Sequence, residues 1–295
     1  MVVKGYSFGR GDPAACILGA VRGTEIQQLY ICSRLVHTLK ELEGKGCISA
    51  GKEILVVPAV NPFSINTGLR FWGVGDIDLN RSFPGNAGGD TADRIADGVL
   101  SQIRDYSYGI QFASFYMPGE FVPHVRMMET GYQSPSLANL FGLPYVVIHK
   151  PRPVDTRTLN YNWQNRTTAA FSVYTNTNSR IDEKSAGGAQ AAVLRFLTRM
   201  GLIRYESHSG YISHVLQDED LSNVHTGSGG IFRRLADPGE YVRYHQPVAR
   251  VLDAFEGEVI EEILAPTEGV VFYAHQDPLV CQGDIVFRLI HRLHE

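Results

Sequence analysis

The sequence predicts an α/β fold: a three-layer αβα domain around a mostly parallel mixed sheet, followed by a small C-terminal all-β domain. Three observations predict it. Apolar runs of strand length, AACILGAV from Ala14 and EILVVPAV from Glu53, alternate with stretches that carry an apolar stripe at helical spacing. Gly or Asn-Pro signals close these segments. After about Tyr205 no helical period survives. Turn signals recur there instead, at Gly229-Gly230, Pro238-Gly239, Glu256-Gly257, Glu268-Gly269 and Gln282-Gly283.

The first run has no polar residue to place on a solvent face, so it reads as a buried strand, ended by Arg22-Gly23-Thr24. A helix follows from about Glu25 to Leu42. Ile31, Leu35, Leu39 and Leu42 form its stripe, and Gly44 and Gly46 stop it. The second strand closes at Asn61-Pro62. TADRIADGVLSQIRD from Thr91 is helical, with Thr91 read as the N-cap and Asp93 complementing the dipole. YGIQFASF from Tyr108, LPYVVIHK from Leu143 and TAAFSVYTN from Thr168 supply three more strands. SRIDEKSAGGAQAAVLRFLTRMGL is a long helix ending near Gly201. The domains are expected at 1–208 and 209–295.

Composition narrows the function classes. The chain has 295 residues, 44% hydrophobic and 20% charged, enough to build a sizeable core. A net charge of -4 without a basic run argues against a nucleic-acid partner. No window has the apolar length of a membrane span, and the Gly-rich N-terminus does not read as a secretion signal. Cys16, Cys32, Cys47 and Cys281 lack CxxC spacing and read as reduced thiols of a cytoplasmic protein. On that reading the sequon at Asn165 is fortuitous, and Arg10-Gly11-Asp12 is a plain turn.

In a doubly covered parallel sheet, ligands bind beyond the carboxyl ends of the strands. The loops there start at Arg22, Asn61, Ala113 and Tyr174. The first carries Arg22 and Glu25; the second carries Arg70, Asn80 and Arg81. Two arginines and an asparagine on one rim make a fork-type receptor for a carboxylate. The competing reading has Asn80 and Arg81 tying down a long loop through carbonyls and Asp78.

GAVRGTE (Gly19 to Glu25), then NPFSINTGLR from Asn61, then DLNRSFPG from Asp78, come in an order that resembles the succinylglutamate desuccinylase/aspartoacylase family, relatives of the zinc carboxypeptidases. The resemblance covers roughly residues 8 to 203. The phrases ADPGEYVRYHQPV and ILAPTEGVV are similar to that family's C-terminal domain. The resemblance implies a carboxypeptidase-like domain, zinc, and hydrolysis of the amide bond of an N-acyl amino acid or similar small carboxylate. It implies that Asn80 and Arg81 hold the substrate carboxylate, helped by Arg70. It also implies a metal held by two histidines and a glutamate, and a glutamate as general base.

Only Glu25 matches that ligand set. Arg22 stands at the first histidine position and Ala113 at the second, with Gln111 in place of the preceding aspartate. Tyr174 occupies the general-base position, where it also reads as a core aromatic at a strand end. Arginine has no lone pair to give a metal, and alanine has no donor at all. His124 and His149 stand alone, without a second ligand at helical or strand spacing. His208, His214 and His225 are spread over turns. Asp182 and Glu183 open a helix, where carboxylates complement the dipole. Two readings stay open: a metal-free carboxylate-binding descendant without an intact catalytic set, or a metal-dependent amide or ester hydrolase with altered ligands. The expected partner is a small carboxylate or N-acyl amino acid-like ligand. The sequence leaves a homo-oligomer open.

Overall fold

The computed structural model describes residues 2–73, 77–115, 117–166 and 168–291; Val74, Gly75 and Asp76, which precede the DLNRSFPG motif, lie outside the described residues. The chain forms two units, 1–114 with 123–215, and 115–122 with 216–295.

The first unit is built from β1 (Lys4–Gly9), β2 (Gly11–Ala20), α1 (Ile26–Gly44), β3 (Gly51–Ala59), α2 (Pro62–Thr67), α3 (Thr91–Ile103) and β4 (Tyr108–Ala113). After β5 (Gly119–Phe121), which belongs to the second unit, it continues with β6 (His124–Met128), α4 (Pro135–Asn139), β7 (Tyr145–His149), α5 (Leu159–Gln164), β8 (Ala169–Tyr174) and α6 (Glu183–Arg199). With β9 (His214–Gln217) the sheet has eight strands in the order β1-β3-β2-β4-β8-β6-β7-β9. The pairs β2–β3, β2–β4, β4–β8 and β6–β7 are parallel, while β1–β3 and β6–β8 are antiparallel. The sheet is therefore mixed and mostly parallel, as expected.

Alternation along β2 divides the core. Ala15 and Ile17 face α1 and α6, where Ile31, Leu35, Leu39, Val193, Phe196 and Leu197 pack. Cys16 and Leu18 face α3 and α5 and meet Ala96, Leu100, Leu159 and Trp163. A strand with apolar residues on both faces can only lie in the middle of three layers. Burial raises the pKa of the Cys16 and Cys32 thiols, and all four cysteines are free.

Several local expectations are corrected. Asp90, not Thr91, caps α3: its carboxylate accepts from Asp93 N at 2.9 Å. The last helix starts only at Glu183, behind Asp182, whose carboxylate accepts from Ser185 N at 2.6 Å. The first unit runs to 215 rather than 208 because Tyr211 N and His214 N donate to Gly142 O and Pro144 O.

The second unit is all β. Its strands are β5, β10 (Leu221–His225), β11 (Gly230–Arg234), β12 (Tyr241–Val242), β13 (Pro247–Leu252), β14 (Val259–Leu264), β15 (Gly269–His275), β16 (Leu279–Val280) and β17 (Ile285–His291). One sheet has the order β10-β17-β15-β12 with β5 on β15; the other has the order β14-β13-β11-β16. Phe232, Val251, Val271, Phe287 and Leu289 pack in its core. β5 was not anticipated, since three residues carry no periodic signal. Among the described residues no helix is long and apolar enough to cross a membrane.

Candidate functional site

The carboxyl ends of β2 and β4 and the loop after β3 bring the sequence-predicted residues together within the first unit. The chain leaves β2 at Arg22-Gly23. Gly23 is required by a close approach: a Cβ there would lie 2.0 Å from Leu69 O and 2.3 Å from Ser64 O. Its amide donates to Arg70 O at 3.2 Å. This contact docks the loop that carries Arg70 against the turn that carries Arg22. In the DLNRSFPG motif, Gly85 plays a similar part against α3: a Cβ there would lie 2.1 Å from Asp97 N, and φ is +89°.

Arg22 is 2% exposed and Glu25 is 0% exposed. The guanidinium makes a two-pronged bond to Asp78, Nε to Oδ1 at 3.0 Å and Nη2 to Oδ2 at 2.9 Å. Its remaining nitrogen Nη1 donates to Glu25 Oε1 at 3.1 Å and to Ser114 Oγ at 3.3 Å. Glu25 is also saturated. Its Oε2 accepts from the amides of Val21 at 2.8 Å and Arg22 at 3.0 Å, and Oε1 accepts from Ser114 Oγ. Burial pulls the Arg22 pKa down, but Glu25 and then Asp78 more than reverse this, and the group is held above its usual value. One buried cation thus sits between two carboxylates.

Arg70 and Arg81 border this cluster. Burial, then the charge of Arg22, lowers the Arg70 pKa; Glu25 and Asp78 oppose the shift and Arg81 adds to it. Arg81 Nε lies 3.8 Å from Asp78 Oδ2. Asn80 is buried, and its carbonyl oxygen accepts from Gln111 Nε2 at 3.0 Å. That bond turns the Asn80 amide NH2 into the group available to a ligand.

A second row lies across the sheet. Ala113 pairs in register with Tyr174, and Tyr174 with His124. The Tyr174 ring stacks on the buried His124 imidazole at 4.9 Å and an interplanar angle of 2°. Ala113 O accepts from the buried Gln28 amide at 3.2 Å. His149 is elsewhere: its Nε2 lies 3.2 Å from Asp155 Oδ2, to which Arg152 Nε also donates at 3.1 Å. Burial would raise the Asp155 pKa, but the bonds from His149 and Arg152 hold it well below the usual carboxylate range. A carboxylate depressed in the folded state stabilises fully above its unfolded pKa of about 3.9 and loses that contribution as pH falls toward the folded value. The stability gap between wild type and Asp155→Asn is therefore expected to be flat above about pH 5 and to shrink below about pH 4. Urea unfolding across that range checks it; a gap that widens in acid would contradict it.

The metal implied by the resemblance does not fit these residues. Two of its three expected positions, Arg22 and Ala113, offer no donor, and Glu25 spends both oxygens on four hydrogen bonds. Among the described residues no group of three or more His, Cys, Asp or Glu is placed to hold a metal ion. Sequence reasoning set Arg22 and Glu25 on one loop but missed Ser114, which is the next residue after Ala113. It also missed Asp78 as the two-pronged partner of Arg22.

Comparison with known proteins bears on the same residues. Over 94% of its length, the chain is 24% identical to N-alpha-acetyl-L-2,4-diaminobutyric acid deacetylase of Halomonas elongata, covering 82% of that protein. Among solved structures, a succinylglutamate desuccinylase from Silicibacter sp. TM1040 superposes with a TM-score of 0.81 at 19% identity, covering 98% of this chain and 89% of that one. The product-bound ectoine utilization protein EutE from Ruegeria pomeroyi gives a TM-score of 0.80 at 21% identity, covering 97% and 87%. At such identities the likeness is one of fold. Residues 12–110, which include Arg22, Glu25, Arg70, Asn80 and Arg81, match the succinylglutamate desuccinylase/aspartoacylase catalytic domain, so this stretch of the chain is similar to that domain.

Proposed function

We propose that this chain is a metal-independent carboxylate receptor, a family member that binds a small N-acyl amino acid or related acid and does not hydrolyse it. One observation carries the reading. The Arg22 guanidinium, buried between Glu25 and Asp78, stands at a position where the resemblance puts a zinc ligand. A cation that makes bonds to both carboxylates leaves neither free for a metal, and a group that stays protonated cannot become a ligand. Tyr174, stacked on His124, takes the general-base position with a phenol that is a poor base near neutral pH. Arg70, Asn80 and Arg81 keep the recognition half of the site. The ligand class follows from the names of the relatives, a deacetylase of an N-acetyl amino acid among them.

Purified protein is expected to carry far less than one zinc per chain. Isothermal titration with N-acetyl-diaminobutyrate or N-acetylglycine is expected to give saturable binding that added zinc does not alter. Arg81→Ala should weaken that binding by about 10- to 100-fold, the value of one charge-assisted bond of roughly 1.5–3 kcal/mol. Its melting temperature should stay close to wild type, because Asp78 keeps the two-pronged bond from Arg22. Stoichiometric zinc, or acetate release from N-acetyl-diaminobutyrate, would overturn the reading.

A further inference from the structure

We infer that a second anion site, for a phosphate monoester with an apolar body, lies on the first unit between α1 and the β1 edge of the sheet. A hollow of about 470 Å³ opens there, within the usual size range of small-molecule sites. Leu29 and Val36 from α1 and Pro58 and Pro62 from the β3 end give it an apolar floor. Tyr6 stands in its wall with two ammonium groups against one ring: Lys4 Nζ is 5.1 Å and Lys40 Nζ 5.2 Å from the ring centroid. Neither lysine has a carboxylate within ion-pair distance among the described residues. Glu41, on the same helix, is engaged by His37 Nε2 at 3.1 Å. Both ammonium groups lie against one ring beside this apolar floor, so an anion seated there would meet two positive charges.

The chemistry separates this site from the arginine cluster. Guanidinium forks match planar carboxylates, whereas two ammonium point charges match the double charge of a phosphate monoester near neutral pH.

Phenyl phosphate is the probe, titrated into the full chain by calorimetry, with inorganic phosphate and benzoate as comparisons. Phenyl phosphate is expected to bind one to one and at least about tenfold more tightly than either comparison, since each lacks half of the recognised chemistry. Lys4→Gln and Lys40→Gln should each weaken it by at least about fivefold, with unchanged melting temperatures, because both side chains are exposed. Arg81→Ala should leave it unchanged. Absence of saturable binding overturns the inference, as does wild-type affinity in the double lysine variant. Loss of binding in Arg81→Ala overturns it too, since the anion would then occupy the arginine cluster.

Discussion

Arg22→Met is expected to cost roughly 3–5 kcal/mol of folding stability, the range for removing one partner of a buried ion pair. Methionine fills much of the same volume, so little of this loss is cavity. The loss comes from Glu25 and Asp78, which are 0% and 10% exposed at the side chain and would lose the Arg22 guanidinium. Glu25 keeps two backbone amides and Ser114, and Asp78 keeps the Asn80 amide and Arg81 at 3.8 Å, so each carboxylate loses the Arg22 bonds but not all of its partners. Arg22→Lys should fall between the two, because an ammonium cannot reach both oxygens of Asp78 and Glu25 together. Lowering the pH supplies a signature. In Arg22→Met, protonation of a buried carboxylate that has lost the guanidinium removes a poorly compensated charge, so the variant should regain stability relative to wild type in acid. Arg22→Met with Asp78→Asn should recover part of the loss at neutral pH for the same reason. Denaturant unfolding of the four proteins decides it. A loss below about 1 kcal/mol in Arg22→Met would mean the pair behaves as an exposed one, against the geometry.

Particular residues explain what was legible beforehand. The α/β architecture followed from β2 and β3, whose apolar runs have nothing to place on a solvent face. That Arg22 and Glu25 share a loop was readable because they stand three apart at a strand-to-helix turn. The Arg22–Asp78 bond spans 56 residues and is made only when the loop after β3 docks through Gly23 and Arg70. Local pattern carries no trace of such a contact; the motif around Asp78 marked the residue without naming its partner. β6 was missed because His124 and Arg126 interrupt its apolar character, although His124 is buried and stacks on Tyr174. The excursion of residues 115–122 into the second unit was hidden for a related reason: β5 pairs with β15, some 150 residues away in sequence, a distance no local window spans.

The double variant Arg22→His with Ala113→His is expected to acquire a zinc site that the receptor reading denies to the wild type. Arg22→His alone should not, since Glu25 and one imidazole make only two ligands. The second imidazole at residue 113 would start from the carboxyl end of β4, one residue before Ser114, whose hydroxyl already touches Glu25. Removal of the guanidinium frees Glu25 Oε1 from its nearest cation and takes the two-pronged bond from Asp78, and a divalent ion would replace the lost positive charge. The metal-free double variant should therefore be less stable than wild type, and zinc should reverse much of the loss. At a free zinc concentration one hundred times the dissociation constant, linkage gives about 2.7 kcal/mol of stabilisation. The wild type should show no zinc-dependent change in unfolding, because its Glu25 and Asp78 are occupied by Arg22. Amide hydrolysis by the zinc-loaded variant should stay weak, since Tyr174 remains where a carboxylate base is needed. Adding Tyr174→Glu would test that last step separately, by the rise in acetate release from N-acetyl-diaminobutyrate. Zinc stabilisation of the wild type equal to that of the double variant would show that Arg22 does not displace a metal, and the receptor reading would fall with it.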